Sequence, residues 1–117
     1  SVVNAGDFDG ATRAELHAAY QAGYVAYVTQ LRSRHPGAHV VLWATDGANG
    51  EIAAAVRKVH VQLQAAGDSR VSFMPVGALE MKGCHWHPSV ADDARIAQQL
   101  VELIDGLPGA WDRGTAP

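Results

Sequence analysis

His39-Val40-Val41-Leu42-Trp43-Ala44-Thr45 is the stretch that decides the fold. Its centre, Val40 to Ala44, is apolar without interruption. A run of this kind, with no polar residue at alternate positions, fits a strand buried on both faces, as in parallel sheets. Upstream, a long helix is predicted from about Thr12 to Arg34, with Leu16, Tyr20, Tyr24, Tyr27 and Leu31 along one face. Arg32 and Arg34 suit its C-terminal end, and His35-Pro36-Gly37 stops it. Downstream, the loop Asp46-Gly47-Ala48-Asn49-Gly50 leads into a helix from about Glu51 to Ala66, with Ile52, Val56, Val59 and Leu63 inward. Gly67 ends that helix, and Arg70–Val76 reads as the next strand.

The same alternation extends to both ends. Ser1–Asn4 reads as a short strand and Asp7–Gly10 as a turn before the first helix. After an irregular loop, a last helix runs from Ser89 to Gly106. Its start is well marked: Ser89 can cap it and Asp92 stands three residues on to answer. Val90, Ala94, Ala97, Val101 and Ile104 follow at helical spacing. Residues 107–117 read as a tail. The expected architecture is α/β, a parallel sheet between two layers of helices, with β-α-β-α-β-α order in residues 1–106. Three strands make a thin sheet, and Val2-Val3 at its edge calls for covering strands. The chain opens on Ser1, with no initiator Met and no polar lead-in, so a processed chain or a piece of something longer is expected.

Composition narrows the classes. The 117 residues are 48% hydrophobic and 18% charged, ordinary for one globular domain. A net charge of −3 without a basic run argues against nucleic acid. No apolar stretch approaches the length that crosses a bilayer, so no membrane partner is expected. One cysteine excludes an internal disulfide.

In open parallel sheets, ligands sit beyond the carboxyl ends of the strands. Three loops leave those ends: Asp7–Gly10, Asp46–Gly50 and Gly77–His87. The last contains Gly83-Cys84-His85-Trp86-His87-Pro88-Ser89. His87 is held just before a rigid helix, and an imidazole so placed can take and return protons; a helix-entry histidine that only bonds backbone is the plainer reading. His85, two residues earlier, is expected to point away by alternation in an extended loop. Cys84, His85 and His87 are each good zinc ligands, yet no second cluster supports a site, so no metal and no cofactor is expected. Cys84 reads as a small buried residue. Trp86 and Trp43 are candidates to wall a sugar site, although Trp43 lies inside a strand, where such a ring is ordinarily core. Asp7 and Asp9 can bind a cation or orient a donor, or simply serve the turn. His17 and His60 lie on helices and read as solvated.

Four segments, in order, carry a resemblance: Val2-Val3-Asn4-Ala5-Gly6-Asp7-Phe8-Asp9; Leu31-Arg32-Ser33-Arg34-His35-Pro36; Ala65-Ala66-Gly67-Asp68-Ser69-Arg70-Val71; and Gly83 to Ser89. Together they resemble the C-terminal half of an SGNH (GDSL-type) hydrolase, with its flavodoxin-like three-layer fold. Within that superfamily the chain is most similar to the second family of carbohydrate esterases, which remove acetyl groups from plant polysaccharides. The resemblance implies that His87 is the general base for a serine and that Gly6, Phe8 and Asp9 belong to the oxyanion or loop support. Beside these, Trp86, Trp43 and His85 stand as the candidate substrate-binding residues. The resemblance also implies a secreted protein acting on an acylated carbohydrate.

Three departures bear on that reading. The superfamily often has an acid three residues before the histidine; here that residue is Cys84, and some of the carbohydrate esterases orient the imidazole by a backbone carbonyl instead. Phe8 stands where the family has an oxyanion-hole Asn, and it cannot donate a hydrogen bond. The Gly-Asp-Ser motif of the fold's first strand is not matched, so the nucleophile is expected from an N-terminal half, in the same precursor or on a separate chain. An alternative is a degenerate relative that binds carbohydrate or serves interactions without catalysis.

Overall fold

The computed structural model describes residues 12–110. The expected first strand and the Asp7–Gly10 turn lie outside the described residues. Within them the order is α1 (Arg13–Arg34), β1 (Val40–Thr45), α2 (Glu51–Ala65), β2 (Val71–Val76) and α3 (Val90–Asp105). β1 and β2 form a parallel two-stranded sheet. The chain divides into two compact units, one ending at Pro75 and the other beginning at Val76.

Helix ends follow from local chemistry. Thr12 caps α1: its hydroxyl accepts from the Glu15 amide at 3.2 Å, and the Glu15 carboxylate accepts from the Thr12 amide at 3.1 Å. α2 starts without a side-chain cap, from Gly50 in the left-handed region at φ 82°. It ends at Gly67, φ 99°, where the Asp68 amide donates to the Leu63 carbonyl and the Gly67 amide to that of Gln64. Those two bonds satisfy carbonyls that the helix leaves without partners.

The core of the first unit is Val28, Leu42, Ala44, Val56, Val59, Leu63 and Val71, flanked by Tyr20, Tyr24, Val25, Val40, Ile52, Ala53 and Phe73. Of the inward set expected of α2, Val56, Val59 and Leu63 are buried and Ile52 is half-buried, with Ala55 buried on the same face. On α1 the expected face holds at Leu16, Tyr20, Tyr24 and Leu31, all half-buried, and departs from expectation at Tyr27. Val28 is the buried residue, and Tyr27 is 61% exposed. Neighbours on a helix point about 100° apart, so a face centred on Val28 leaves Tyr27 outside it.

The reading of β1 as buried on both faces is also corrected. Leu42 and Ala44 are buried against the helices, but Trp43 between them is 46% exposed. Successive side chains of a strand point to opposite faces, and an apolar run shows neither which face is covered nor by what.

Arg32 ties the two segments that enter the strands. Its Nε and Nη2 donate to the two oxygens of Asp68 at 3.1 and 3.2 Å, and Nη2 also donates to the Arg70 carbonyl at 2.9 Å. Nη1 donates to the carbonyls of His35, at 3.1 Å, and Ala38. Burial works against ionisation of Asp68, but the bonds from Arg32 and the Arg70 amide outweigh it and lower its pKa. The side chains of Arg32 and Asp68 are 21% and 15% exposed. The arginine and aspartate of two widely separated sequence segments thus make one bidentate pair.

Candidate functional site

The loop that follows β2 is built around one buried carboxylate. Ser89 caps α3 as expected, its hydroxyl accepting from the Asp92 amide at 3.1 Å. In return Asp92 accepts from the Ser89 amide at 3.0 Å. The same carboxylate then does more than cap. Its other contacts are the amides of Glu80, at 2.7 Å to Oδ1, and Met81, at 2.8 Å to Oδ2. Asp92 is 1% exposed. Burial alone would raise its pKa, but the bonds from Ser89, Glu80 and Met81 pull it from 3.8 down to about 2. Arg95, one turn on, donates from Nη1 to the Ala78 carbonyl at 3.0 Å. The start of the loop is therefore bonded to the first two turns of α3.

Burial on α3 follows Asp92. The half-buried residues are Ile96, Gln99, Leu100, Leu103 and Ile104, at helical spacing from it. The expected stripe is shifted: Val90, Ala94, Ala97 and Val101 are exposed, and only Ile104 of that set is half-buried. A buried, fully bonded Asp92 fixes the rotation of the helix, which apolar periodicity alone places one position off.

Between these anchors the chain makes a closed turn. The Gly83 amide donates to the His87 carbonyl at 2.8 Å, and the His87 amide donates to that of Cys84 at 3.2 Å. A Cβ on Gly83 would lie 2.6 Å from the Pro88 carbonyl oxygen and 2.8 Å from that of His87. No side chain fits there, which is why glycine opens the motif. His85 and Trp86 both take left-handed backbone, at φ 55° and 61°, as do Ala78 and Met81 at 56° and 54°. Such conformations cost on the order of 1–3 kcal/mol each in residues other than glycine, and persist only where the surroundings over-determine them. Here the bonds to Asp92, Arg95 and Gly83 supply that constraint.

His85, Trp86 and His87 are brought together in this turn, and all three are exposed, Trp86 to 84%. The basis for turning His85 away does not hold, because Cys84–Trp86 is a tight turn rather than an extended segment. Cys84, expected to be buried, is exposed. Trp43 sits in the first unit. Gly6, Phe8 and Asp9 lie outside the described residues. Among the described residues no side chain or backbone group hydrogen-bonds the His87 ring, so the imidazole is open to an incoming group.

Two histidines read as solvated have partners. His17 Nε2 lies 2.7 Å from Glu51 Oε1, and Arg13 donates to the same oxygen. His60 Nε2 lies 3.2 Å from the Val71 carbonyl. Nothing local signals a pair 34 residues apart, such as His17 and Glu51. The Asp92 contacts were half legible: the cap was visible, the far side of the carboxylate was not. Gly67-Asp68-Ser69 spells the nucleophile motif, but it precedes β2 instead of following a strand, and Asp68 is engaged by Arg32.

No family profile matches the chain. It is 42% identical over 100 residues to an acetylxylan esterase / glucomannan deacetylase of Cellvibrio japonicus (strain Ueda107), covering 86% of this chain and 28% of that protein. It matches a solved carbohydrate esterase, whose active site is described as displaying divergent catalytic and non-catalytic binding functions, with a TM-score of 0.84 and 40% identity. That match covers 91% of this chain and 34% of the other. The chain thus spans about a third or less of these relatives. In sequence and in fold it is similar to carbohydrate esterases, and its fold is a partial α/β fold of that kind.

Proposed function

We propose that this chain is the base-bearing part of a serine ester hydrolase of the SGNH type that removes acetyl groups from a carbohydrate, working outside the cell. The observation that carries the reading is an open imidazole, His87, in a turn closed by Gly83 and anchored to α3, within a chain 42% identical over 100 residues to the deacetylase named above.

The chemistry is acyl transfer in two halves. The His87 imidazole takes the hydroxyl proton of a serine that an N-terminal half of the fold provides. The serine oxygen attacks the ester carbonyl and an oxyanion forms. As the C–O bond to the sugar breaks, the imidazolium returns its proton to the leaving sugar oxygen. Water then loses a proton to His87 and attacks the acyl-serine; as the acyl C–O bond to serine breaks, the imidazolium returns that proton to the serine oxygen and the acetyl group leaves as acetic acid, which ionises to acetate. Trp86, Trp43 and His85 are proposed to contact the sugar. Gly6 and Asp9 are proposed to support the loop at the oxyanion, and Phe8 leaves that position without a donor.

Phe8 also favours a second reading, a relative that holds carbohydrate without turning it over, with Trp86 as a stacking face. Hydrolysis of 4-nitrophenyl acetate and acetylated xylan by the full-length protein separates the two. The esterase reading expects turnover that His87→Ala lowers by roughly 10²–10⁴-fold. A His87→Ala rate equal to wild type removes the base assignment; retention of xylan without turnover in wild type supports the binding reading.

A further inference from the structure

We propose that Asp92 is the positioning residue for His87: its buried carboxylate gathers the amides of Glu80, Met81 and Ser89, and so fixes both ends of the turn that presents the imidazole. The inference rests on the reading of His87 as the base. Met81 and Ser89 share one oxygen, Oδ2, which brings the chain before the turn within about one hydrogen-bonding atom of the chain after it. His87 lies between them, its own amide and carbonyl spent on Cys84 and Gly83. The imidazole is left with only its side-chain torsions to adjust, provided the base of the turn stays closed.

An ionised carboxylate is suited to this task because it is acceptor-only at both oxygens. Asparagine is not: its NH₂ must face either the Glu80 amide or those of Met81 and Ser89, donor against donor. Asp92 stays ionised well below neutrality, its pKa being about 2. Asp93, next on the helix and exposed, provides a control with the same charge.

The test compares full-length wild type, Asp92→Asn and Asp93→Asn. For 4-nitrophenyl acetate, Asp92→Asn is expected to lower kcat by on the order of a hundredfold with little change in KM, as misplacement of a catalytic group does. Asp93→Asn is expected to match wild type. In ¹H–¹³C spectra the His87 Cε1 signal is expected to be single in wild type and Asp93→Asn, and split or broadened in Asp92→Asn.

A folded Asp92→Asn protein with wild-type kcat and an unchanged His87 signal overturns the proposal. So does a variant whose melting temperature falls while kcat per folded molecule stays the same. If wild type shows no esterase activity, the functional reading fails, and the His87 signal still decides whether Asp92 positions the ring. If Asp92→Asn does not fold, hydrogen exchange in wild type decides. Protection of the Glu80, Met81 and Ser89 amides comparable to that within α3 supports the proposal, and free exchange overturns it.

Discussion

At the scale of single residues, the turn around His87 depends on what is absent from Gly83. The 2.6 Å and 2.8 Å approaches that a Cβ would make are to backbone oxygens, which cannot swing aside. Gly83→Ala is therefore expected to open the turn and lower esterase kcat by about a hundredfold, with the thermal transition of the first unit unchanged; steady-state rates and calorimetry check this. Phe8 makes the opposite case. Restoring a donor with Phe8→Asn is expected to raise kcat, since one oxyanion donor is worth roughly 10²–10³-fold. An unchanged rate would place Phe8 away from the oxyanion. Asp92 sets a pH limit. Its pKa in the fold, about 2, lies below the ordinary 3.8. The stabilisation it lends is thus fully present above about pH 4 and is lost as pH falls through about 2. An acid titration followed by amide signals of Glu80 and Met81 should show the loop intact at pH 4 and released near pH 2.

At the scale of elements, the segments entering β1 and β2 are held together by one arginine. Where the strands begin, Arg32 and Asp68 join the end of α1 to the segment entering β2. Arg32→Ala leaves a mostly buried Asp68 and several carbonyls without their donor, and is expected to cost about 2–3 kcal/mol in urea unfolding. Arg32→Lys is expected to recover only part of this, because an ammonium cannot reproduce the two-pronged contact. The elements themselves were legible. Thr12 with Glu15 and Ser89 with Asp92 mark helix starts in the sequence, and Gly67 marks an end, because these are contacts within a few residues of one chain segment. One position of the α1 face and the rotation of α3 were not. Val28 in place of Tyr27, and Ile96 and Leu100 in place of Val90 and Ala94, are choices among neighbouring apolar positions. Only the packing partner makes that choice.

At the scale of the molecule, large apolar side chains stay open in this chain: Trp43 at 46%, Val101 at 50%, Trp86 at 84% and Val90 at 87%. Val90 and Val101 lie eleven residues apart on one face of α3, and an exposed apolar face attracts apolar probes. Residues 1–117 prepared alone are expected to enhance the fluorescence of a hydrophobic dye, and Val90→Ser with Val101→Ser to weaken it; no change on the double substitution would mean that the α3 face is not the dye site.

The amino-acid sequence by itself determined the α/β order of the described elements, their ends to within a residue or two, the inward face of α2 and the placing of His85, Trp86 and His87 in one short loop before the last helix. These follow from caps, glycines and apolar runs acting over a few residues. The resemblance to carbohydrate esterases was legible in the same way, as short motifs in order. Only the tertiary structure decided that Arg32 reaches Asp68, that His17 meets Glu51, that Cys84 is exposed and that Asp92 spans the loop as well as capping the helix. Those depend on groups distant along the chain, or on which side of an element its neighbours cover. Local chemistry allows several answers there, and packing selects one.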